Sequence, residues 1–244
     1  MNFEELYTQI RKRLDDSVSS TIGLVGLPGS GKTTMSVNLG RYLSTQNIAA
    51  VPWEGDIYST SSRANRTAVI QREFRDRVAV GLPIDPNWPR NAYHYNIPLM
   101  IEHFDKLKKR EDFLANGLCH PKRKSIDLGI EVHFPNQRET DIRFEDDLLH
   151  YEGDETWILA DFALLTKRGI REHLDLLVYV DAPYDVRADR IRTRLQNLPI
   201  PIIREENLSR SIEESQTHDF DVNPEVAQIV IDNTDFNNPR IVRA

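Results

Sequence analysis

The stretch that most restricts the fold is "GLPGSGKTT", residues 26 to 34, which directly follows the apolar run "TIGLVG". Residues 26–33 match G-x-x-x-x-G-K-[ST], a pattern in which a strand passes through a glycine-rich loop into a helix. Its glycines allow left-handed backbone, so that successive N–H groups point at an anion. The helix that begins near Lys32 adds the positive end of its dipole. The pattern predicts a phosphate-binding loop, here called the phosphate loop (residues 26–33).

Each side chain at the end of this loop has a predicted task. Lys32 would reach the outer phosphates of a nucleotide, the Thr33 hydroxyl would ligate Mg²⁺, and Thr34 would contact the inner phosphates. The alternative is a glycine-rich turn that holds nothing. The strand before, the helix after and the complete lysine-threonine end disfavour it. The predicted nucleotide-binding residues are Gly26, Leu27, Pro28, Gly29, Ser30, Gly31, Lys32, Thr33 and Thr34.

The rest of the chain alternates apolar strands with helical patterns. Strands are predicted at 20–26, 48–53, 156–161, 175–183 and 227–234, and helices at 3–14, 32–46, 61–81, 97–112, 184–196 and 204–216. This order predicts a three-layer α/β/α fold with a mostly parallel sheet. Residues 125–149 alternate with period two around "PNQRE" and predict a small hairpin excursion. We expect one domain over 1–244, with an N-terminal helix in 1–19, this hairpin, and a lid region at 184–216.

Charge and cysteine content restrict the partners. The 244 residues carry a formal net charge of -7, so no overall positive field would attract a nucleic-acid polymer, whereas a small phosphorylated ligand needs only a local pocket. The single cysteine, Cys119, excludes an internal disulfide and a cysteine-rich metal site. The charged "MNFEELYTQIRKRL" lacks the apolar core of a signal peptide, and no apolar run approaches the ~20 residues of a membrane helix. We expect a cytoplasmic protein that acts on a small molecule.

Carboxylates follow the predicted strands, at the edge of the sheet where the phosphate loop also lies. Asp56 would accept the proton of an acceptor hydroxyl, or else cap the next helix; Glu54 is its competitor. Asp161 would hold a metal-bound water beside Thr33, or cap the helix of "FALLTKRG". Asp181 ends another strand, but "APYDV" follows it as a capping context, which makes it the weaker candidate.

Arginines recur in the helix "YDVRADRIRTRLQ". Arg187, Arg190 and Arg194 share one face at spacings of three and four residues. Such a face suits a lid that closes over a triphosphate, with Arg190 and Arg194 stabilising charge in the transition state. The alternative is a solvated face with ordinary ion pairs, since Asp189 and Arg192 lie in the same helix.

Nucleotide binding alone leaves several functions open. The Asn-Lys-x-Asp motif of GTPase switches and the Leu-Ser-Gly-Gly-Gln motif of transport ATPases are both absent from the sequence. His103, on the apolar face of its helix, is predicted to belong to the core. Candidates for contact with an acceptor are Arg63, Arg66, Tyr93, His94, His133 and Arg138.

Several stretches together resemble one superfamily, that of uridine kinase, phosphoribulokinase and pantothenate kinase. The resemblance rests on "IGLVGLPGSGKTT", "GDIYS", "NAYHYNIPLMIEHFDKLKKRED", "WILADFALL" and "LDLLVYVDAPYDVRADRIRTR", and covers residues 20 to 195 loosely. It implies a P-loop kinase that uses ATP and Mg²⁺ and transfers the γ-phosphoryl group to a hydroxyl of a small metabolite. It also implies that Asp56 is the catalytic base.

Two other functions fit the same residues. A nucleoside monophosphate kinase would use Arg63 and Arg66 to hold the phosphate of its acceptor. A nucleotide-dependent binding or regulatory protein would need no acceptor and would hydrolyse ATP slowly. Replacing Asp56 by Asn separates these functions, because only a kinase should lose turnover and keep its affinity for ATP.

Overall fold

A computed structural model describes residues 3–14, 19–58, 79–81, 96–109, 111, 113–114, 142–145, 148–151, 156–166, 168–196 and 222–244. Six strands form the main sheet: β1 (Ser19–Val25), β2 (Ala49–Glu54), β6 (Thr156–Asp161), β7 (Leu176–Asp181), β8 (Ile229–Asp232) and β9 (Arg240–Arg243). Their order is β2-β6-β1-β7-β8-β9, and among these described strands only β9 runs antiparallel to its neighbour. The mostly parallel sheet that the sequence predicts is confirmed.

Helices cover both faces of this sheet. They are α1 (Phe3–Arg11), α2 (Lys32–Thr45), α3 (Ile97–Lys109), the single turn α4 (Arg168–Arg171) and α5 (Tyr184–Gln196). Short 3₁₀ turns follow β2 at Gly55–Tyr58 and β6 at Ala163–Thr166. Within the "FALLTKRG" segment, Ala163–Thr166 thus form a 3₁₀ turn, and α4 begins at Arg168.

The core consists of two apolar clusters, one on each face of the sheet. Strand β6 shows the period-two rule, because Trp157 and Leu159 join the cluster under α1 and α2. Ile158 and Ala160 point to the other face and join the cluster under α3. A strand buried on both faces has to be apolar throughout, which explains the unbroken run "WILA".

In the sheet, β2 and β6 lie on one side of β1, whereas β7 and β8 lie on its other side. The carboxyl end of β1 therefore lies where the strand order reverses, the usual place for a ligand in an open α/β sheet. The phosphate loop joins β1 to α2 at this point.

Three further strands form a separate antiparallel sheet, in the order β3-β5-β4: β3 (Phe113–Leu114), β4 (Ile142–Glu145) and β5 (Leu148–Tyr151). The antiparallel excursion is thus present, but β4 pairs with residues 148–151. The sequence analysis paired "TDIRF" with residues 126–134, which lie outside the described residues. The alternation within 142–145 was visible, whereas nothing in it identified residues 148–151 as the paired strand.

Strand β9 is among the strands that escaped the sequence analysis. Residues 227–234 were expected to close the fold as its last strand, yet β9 follows β8 and pairs with it at the edge of the main sheet. Its residues alternate between exposed and half-buried, which gives "RIVR" too weak an apolar pattern to be detected. The predicted helix at 204–216 and most of the one at 61–81 lie outside the described residues.

Candidate active site

The phosphate loop has the backbone that its glycines predict. Gly29 and Gly31 take left-handed conformations, with φ of 81° and 97°, which residues with a Cβ rarely adopt. Gly31 also occupies the N-cap position of α2 and provides no side-chain cap. No side-chain cap therefore occupies the first-turn N–H groups of α2, which together with the positive end of the helix dipole suit an anion.

Side chains of the loop complete this cradle. The Nζ of Lys32, at the first position of α2, lies 3.3 Å from the carbonyl oxygen of Leu27, across the mouth of the loop. Thr33 and Thr34 follow it on the first turn and are half-buried. The Oγ of Ser30 is buried and has no hydrogen-bond partner among the described residues. Amides, an ammonium group and hydroxyls form a donor set that fits the phosphates of a nucleotide.

Asn233, which follows β8, holds the loop from one side. Its side chain is buried, and its Nδ2 donates to the carbonyl oxygen of Ser30 at 2.6 Å. The fit is close, because a Cβ on Gly31 would lie 2.4 Å from that Nδ2 atom. Sequence analysis missed Asn233 as a site residue, although a polar residue directly after an apolar strand was a signal of the kind that singled out Asp161.

Helix α5 holds the loop from the other side. A Cβ on Gly29 would lie 2.6 Å from the backbone oxygen of Arg187, so only glycine allows this approach. Arg187 is 8% exposed, and its guanidinium donates to the carbonyl oxygens of Ala182 at 3.0 Å and Pro28 at 3.4 Å. The buried arginine thus ties the start of the helix to the phosphate loop.

Arg190 lies one turn further along α5 and connects three segments. Its guanidinium donates to the carbonyl oxygens of Asn233 at 2.7 Å and Ser30 at 3.4 Å, and lies 4.9 Å from the ring centroid of Phe236. Burial lowers its pKa, which the charge of Asp235 partly opposes, yet guanidinium stays protonated. The predicted lid arginine is therefore beside the phosphate loop, where it binds backbone oxygens. Its catalytic role remains a prediction.

The two predicted carboxylate positions are on neighbouring strands. Asp161 ends β6, pairs in register with Leu24 of β1 and with Glu54 of β2, and is 6% exposed. Asp56 lies in the 3₁₀ turn after β2, two residues beyond Glu54. Strand register thus brings the backbone of both positions to the edge where β1 enters the phosphate loop. The side chains of Asp56, Glu54 and Arg194 are outside the described part of the structure.

A cavity of about 230 Å³ opens beside the phosphate loop. It lies between the start of α2 and the segment after β8, which supplies an aromatic ring and amide groups. Its lining residues are Phe3, Gly31, Thr34, Met35, Asn38, Asn233, Phe236, Asn237 and Pro239.

Other predicted positions have mixed outcomes. His103 is buried in the core, as expected. Asp181 is exposed at the end of β7, and its segment leads into α5. The acceptor candidates fall outside the described residues: Arg63, Arg66, Tyr93, His94, His133 and Arg138.

Two further features concern metals and membranes. In the described ranges no three His, Cys, Asp or Glu side chains cluster as a metal site would require. None of the helices in that same part of the chain is long and apolar enough to cross a membrane.

Comparison with known proteins shows the fold. No protein-family model and no curated protein matches the sequence. The chain is similar to a solved structure from Silicibacter sp. TM1040, provisionally named a fructose transport system kinase. Identity is 16%, the TM-score is 0.55, and the match covers 91% of this chain and 92% of that one. It is also similar to a possible uridine kinase from Bacillus stearothermophilus, at 16% identity and a TM-score of 0.50, over 81% of this chain and 92% of the other. The chain thus has the three-layer α/β/α P-loop fold of these two structures, which confirms the resemblance predicted from sequence at the level of the fold.

Proposed function

We propose that the protein is a kinase that transfers the γ-phosphoryl group of ATP to a hydroxyl group of a small metabolite, such as a nucleoside, a sugar or a pantothenate-like compound. The observation that carries this proposal is the phosphate loop with its left-handed Gly29 and Gly31. A loop that only joined a strand to a helix would not need two such residues next to a lysine. Asp161 and the backbone of Asp56 at the same edge of the sheet support a transfer reaction.

The nucleotide would lie along the loop. Its phosphates would accept hydrogen bonds from the loop amides and from Lys32, which would also stabilise the charge that develops on the transferred group. The adenine ring of ATP would enter the cavity between α2 and the segment after β8, where Phe236 provides an aromatic surface and Asn38 and Asn237 provide amides. Arg190, which already contacts Phe236, would lie near the same nucleotide.

The acceptor would approach from the side of β2 and β6. Asp56 would take the proton of the acceptor hydroxyl. The oxygen of that hydroxyl would form a bond to the γ-phosphorus, while the bond between the γ-phosphorus and the bridging β–γ oxygen breaks. ADP and a phosphorylated metabolite would leave. Thr33 and Asp161 would hold Mg²⁺, which would neutralise charge on the β- and γ-phosphates. A magnesium site of this kind needs few protein ligands, because the nucleotide supplies the others.

The test is turnover with Mg-ATP and a panel of alcohols, with ADP release as the measurement. Nucleosides, sugars and pantothenate should be compared with nucleoside monophosphates, which a monophosphate kinase would prefer. The Asp56→Asn variant should lose at least about 10²-fold in kcat and keep its affinity for ATP, as a loss of general-base catalysis predicts. A protein that binds ATP but responds to no acceptor would contradict the proposal and support a binding or regulatory function.

A further inference from the structure

Three polar aromatic side chains form a hydrogen-bonded chain inside the apolar cluster under α3. The indole Nε1 of Trp53 donates to the hydroxyl of Tyr58 at 2.8 Å, and this hydroxyl lies 3.0 Å from Nδ1 of His103. Each of the three residues is 1% exposed. The indole is only a donor, so the hydroxyl accepts from it, and the tautomer of the imidazole sets which atom donates in the bond between this hydroxyl and Nδ1 of His103.

These hydrogen bonds connect residues on either side of Asp56. Trp53 lies three residues before Asp56, Tyr58 lies two residues after it, and His103 belongs to α3. Tyr58 is also bound to α3 through its backbone, since its carbonyl oxygen accepts from the N–H of Asn96 at 2.8 Å. Asn96 in turn accepts at its side chain from Leu99 N and thus caps the helix. Tyr58 therefore attaches the turn to α3 and to the residue that caps it, through its side chain and through its backbone.

A third contact fixes the start of the same turn. Gly55 packs so closely against Phe162 that a Cβ would lie 2.2 Å from its ring. Phe162 directly follows Asp161 and donates its N–H to the carbonyl oxygen of Leu24 in β1 at 3.2 Å. Through Phe162, the start of the turn is thereby held in place relative to β1, the strand that leads into the phosphate loop.

Apolar packing alone would not require these polar groups. Burying a hydroxyl, an indole N–H and an imidazole costs free energy that their hydrogen bonds only offset, whereas phenylalanine or leucine would fill such space without that cost. What the hydrogen bonds add is direction, because they hold the hydroxyl at one distance from both partners.

We propose that Tyr58 and His103 are positioning residues that set where the Asp56 turn stands relative to the phosphate loop, and so set the approach of the base to the acceptor hydroxyl. This inference rests on the proposed kinase function. Neither side chain touches the reacting atoms, because both are enclosed in the core.

The experiment compares three variants of the full chain. His103→Leu removes the hydrogen-bond partner of the Tyr58 hydroxyl, His103→Asn keeps an amide that can donate or accept near the position of Nδ1, and Leu107→Val is the matched control one turn further along the same buried helix face. With the best acceptor found, His103→Leu should lose about 10- to 100-fold in kcat with little change in the KM for ATP. His103→Asn should recover most of that loss, and Leu107→Val should keep the kcat of the parent protein.

Amide hydrogen exchange supplies a second readout that needs no acceptor. In His103→Leu the N–H groups of residues 55–58 should exchange at least about 10-fold faster than in Leu107→Val, with α2 unchanged. Equal exchange in the turn would overturn the positioning role whether or not an acceptor is known. An unchanged kcat in His103→Leu, in a parent protein that turns over, would overturn it as well. A parent protein without acceptor-dependent turnover would instead contradict the proposed function, and the exchange result would still decide the positioning of the turn.

Discussion

Lys32 stands where the phosphate loop passes into α2, with its Nζ close to the carbonyl oxygen of Leu27 at 3.3 Å. Its half-buried side chain makes no contribution to either apolar cluster. Its chemistry can therefore be removed without loss of the core. Asn233 and Arg187 differ from Lys32 in that both are buried against the loop.

Replacing Lys32 by Ala should lower kcat/KM for Mg-ATP by about 10²-fold or more, because a cation beside the transferred phosphoryl group stabilises the transition state. The measurement is steady-state turnover, with the melting temperature recorded in parallel. Lys106→Ala is the matched control, since Lys106 forms an exposed ion pair with Glu102 on α3. Equal losses in both variants would contradict a specific role for Lys32.

His103 shows how burial changes a single residue. Desolvation lowers its pKa from 6.5 to about 4; the neighbouring Glu102 charge raises it and the Lys106 charge lowers it. The folded protein thus binds this proton less readily than the unfolded chain does. The stability contributed by neutral His103 is complete above pH 6.5 and is lost as the pH falls towards 4, because the unfolded chain takes up a proton first.

We therefore expect His103 to lower the free energy of unfolding by about 2 kcal/mol when the pH falls from 7.5 to 5. Urea titrations of the parent protein and of His103→Leu at both pH values measure it, since the carboxylates common to both titrate alike. The variant should show the shallower pH dependence by about that amount. Identical slopes would contradict a buried neutral imidazole.

At the scale of elements, the notable contact is between α5 and the phosphate loop. Gly29 meets the backbone of Arg187, and the guanidinium groups of Arg187 and Arg190 meet carbonyl oxygens of the loop. A helix that was predicted to form a lid thus begins as a support for the loop itself. Movement at the start of α5 would consequently move the phosphate loop.

Gly29→Ala should weaken Mg-ATP binding about 10-fold or more, because its φ of 81° is strained for alanine and the new Cβ would lie 2.6 Å from a backbone oxygen. Gly169→Ala on α4 is the control, since nothing lies within 4 Å of a Cβ there. That change should leave binding unaltered and slightly raise stability, as helix propensity predicts. Calorimetric titration with Mg-ATP measures the affinities of the two variants, and equal affinities would contradict the close packing.

For the whole molecule, the order of strands in the sheet determines which strand ends lie close together. Residues far apart in sequence, at 26–33, 56, 161 and 233, reach one edge because β1, β2, β6 and β8 are parallel. A ligand bound there would contact several strands and helices at once. Binding should therefore stabilise the fold as a unit.

Mg-ATP at about 100 times its Kd should add about 2.7 kcal/mol to the unfolding free energy. For a chain of this size that corresponds to a melting temperature higher by about 5–10 °C. Thermal unfolding should be followed with ATP plus Mg²⁺, with ATP plus a chelator, and with the Lys32→Ala variant. The full shift is expected only in the first case, and a shift of equal size in Lys32→Ala would contradict binding through the phosphate loop.

The sequence predicted the features that short segments determine. The phosphate loop, β6 at 156–161 and the helices around Lys32 and Tyr184 follow from apolar periodicity, glycine placement and capping. Strand β9 was missed because a four-residue edge strand that is at most half-buried carries only a weak apolar pattern. The pairing of β4 with β5 was missed because strand alternation does not name a partner.

By itself, the sequence determined that this chain has a nucleotide-type phosphate loop between a buried strand and a helix, because that information lies within about ten consecutive residues. Only the tertiary structure decided what the isolated polar residues do. Arg190 reaches Ser30 across 160 positions, and Tyr58 reaches His103 across 45. Such contacts depend on how the sheet and helices pack, and no local pattern of side chains encodes which distant oxygen or nitrogen a buried polar group will meet.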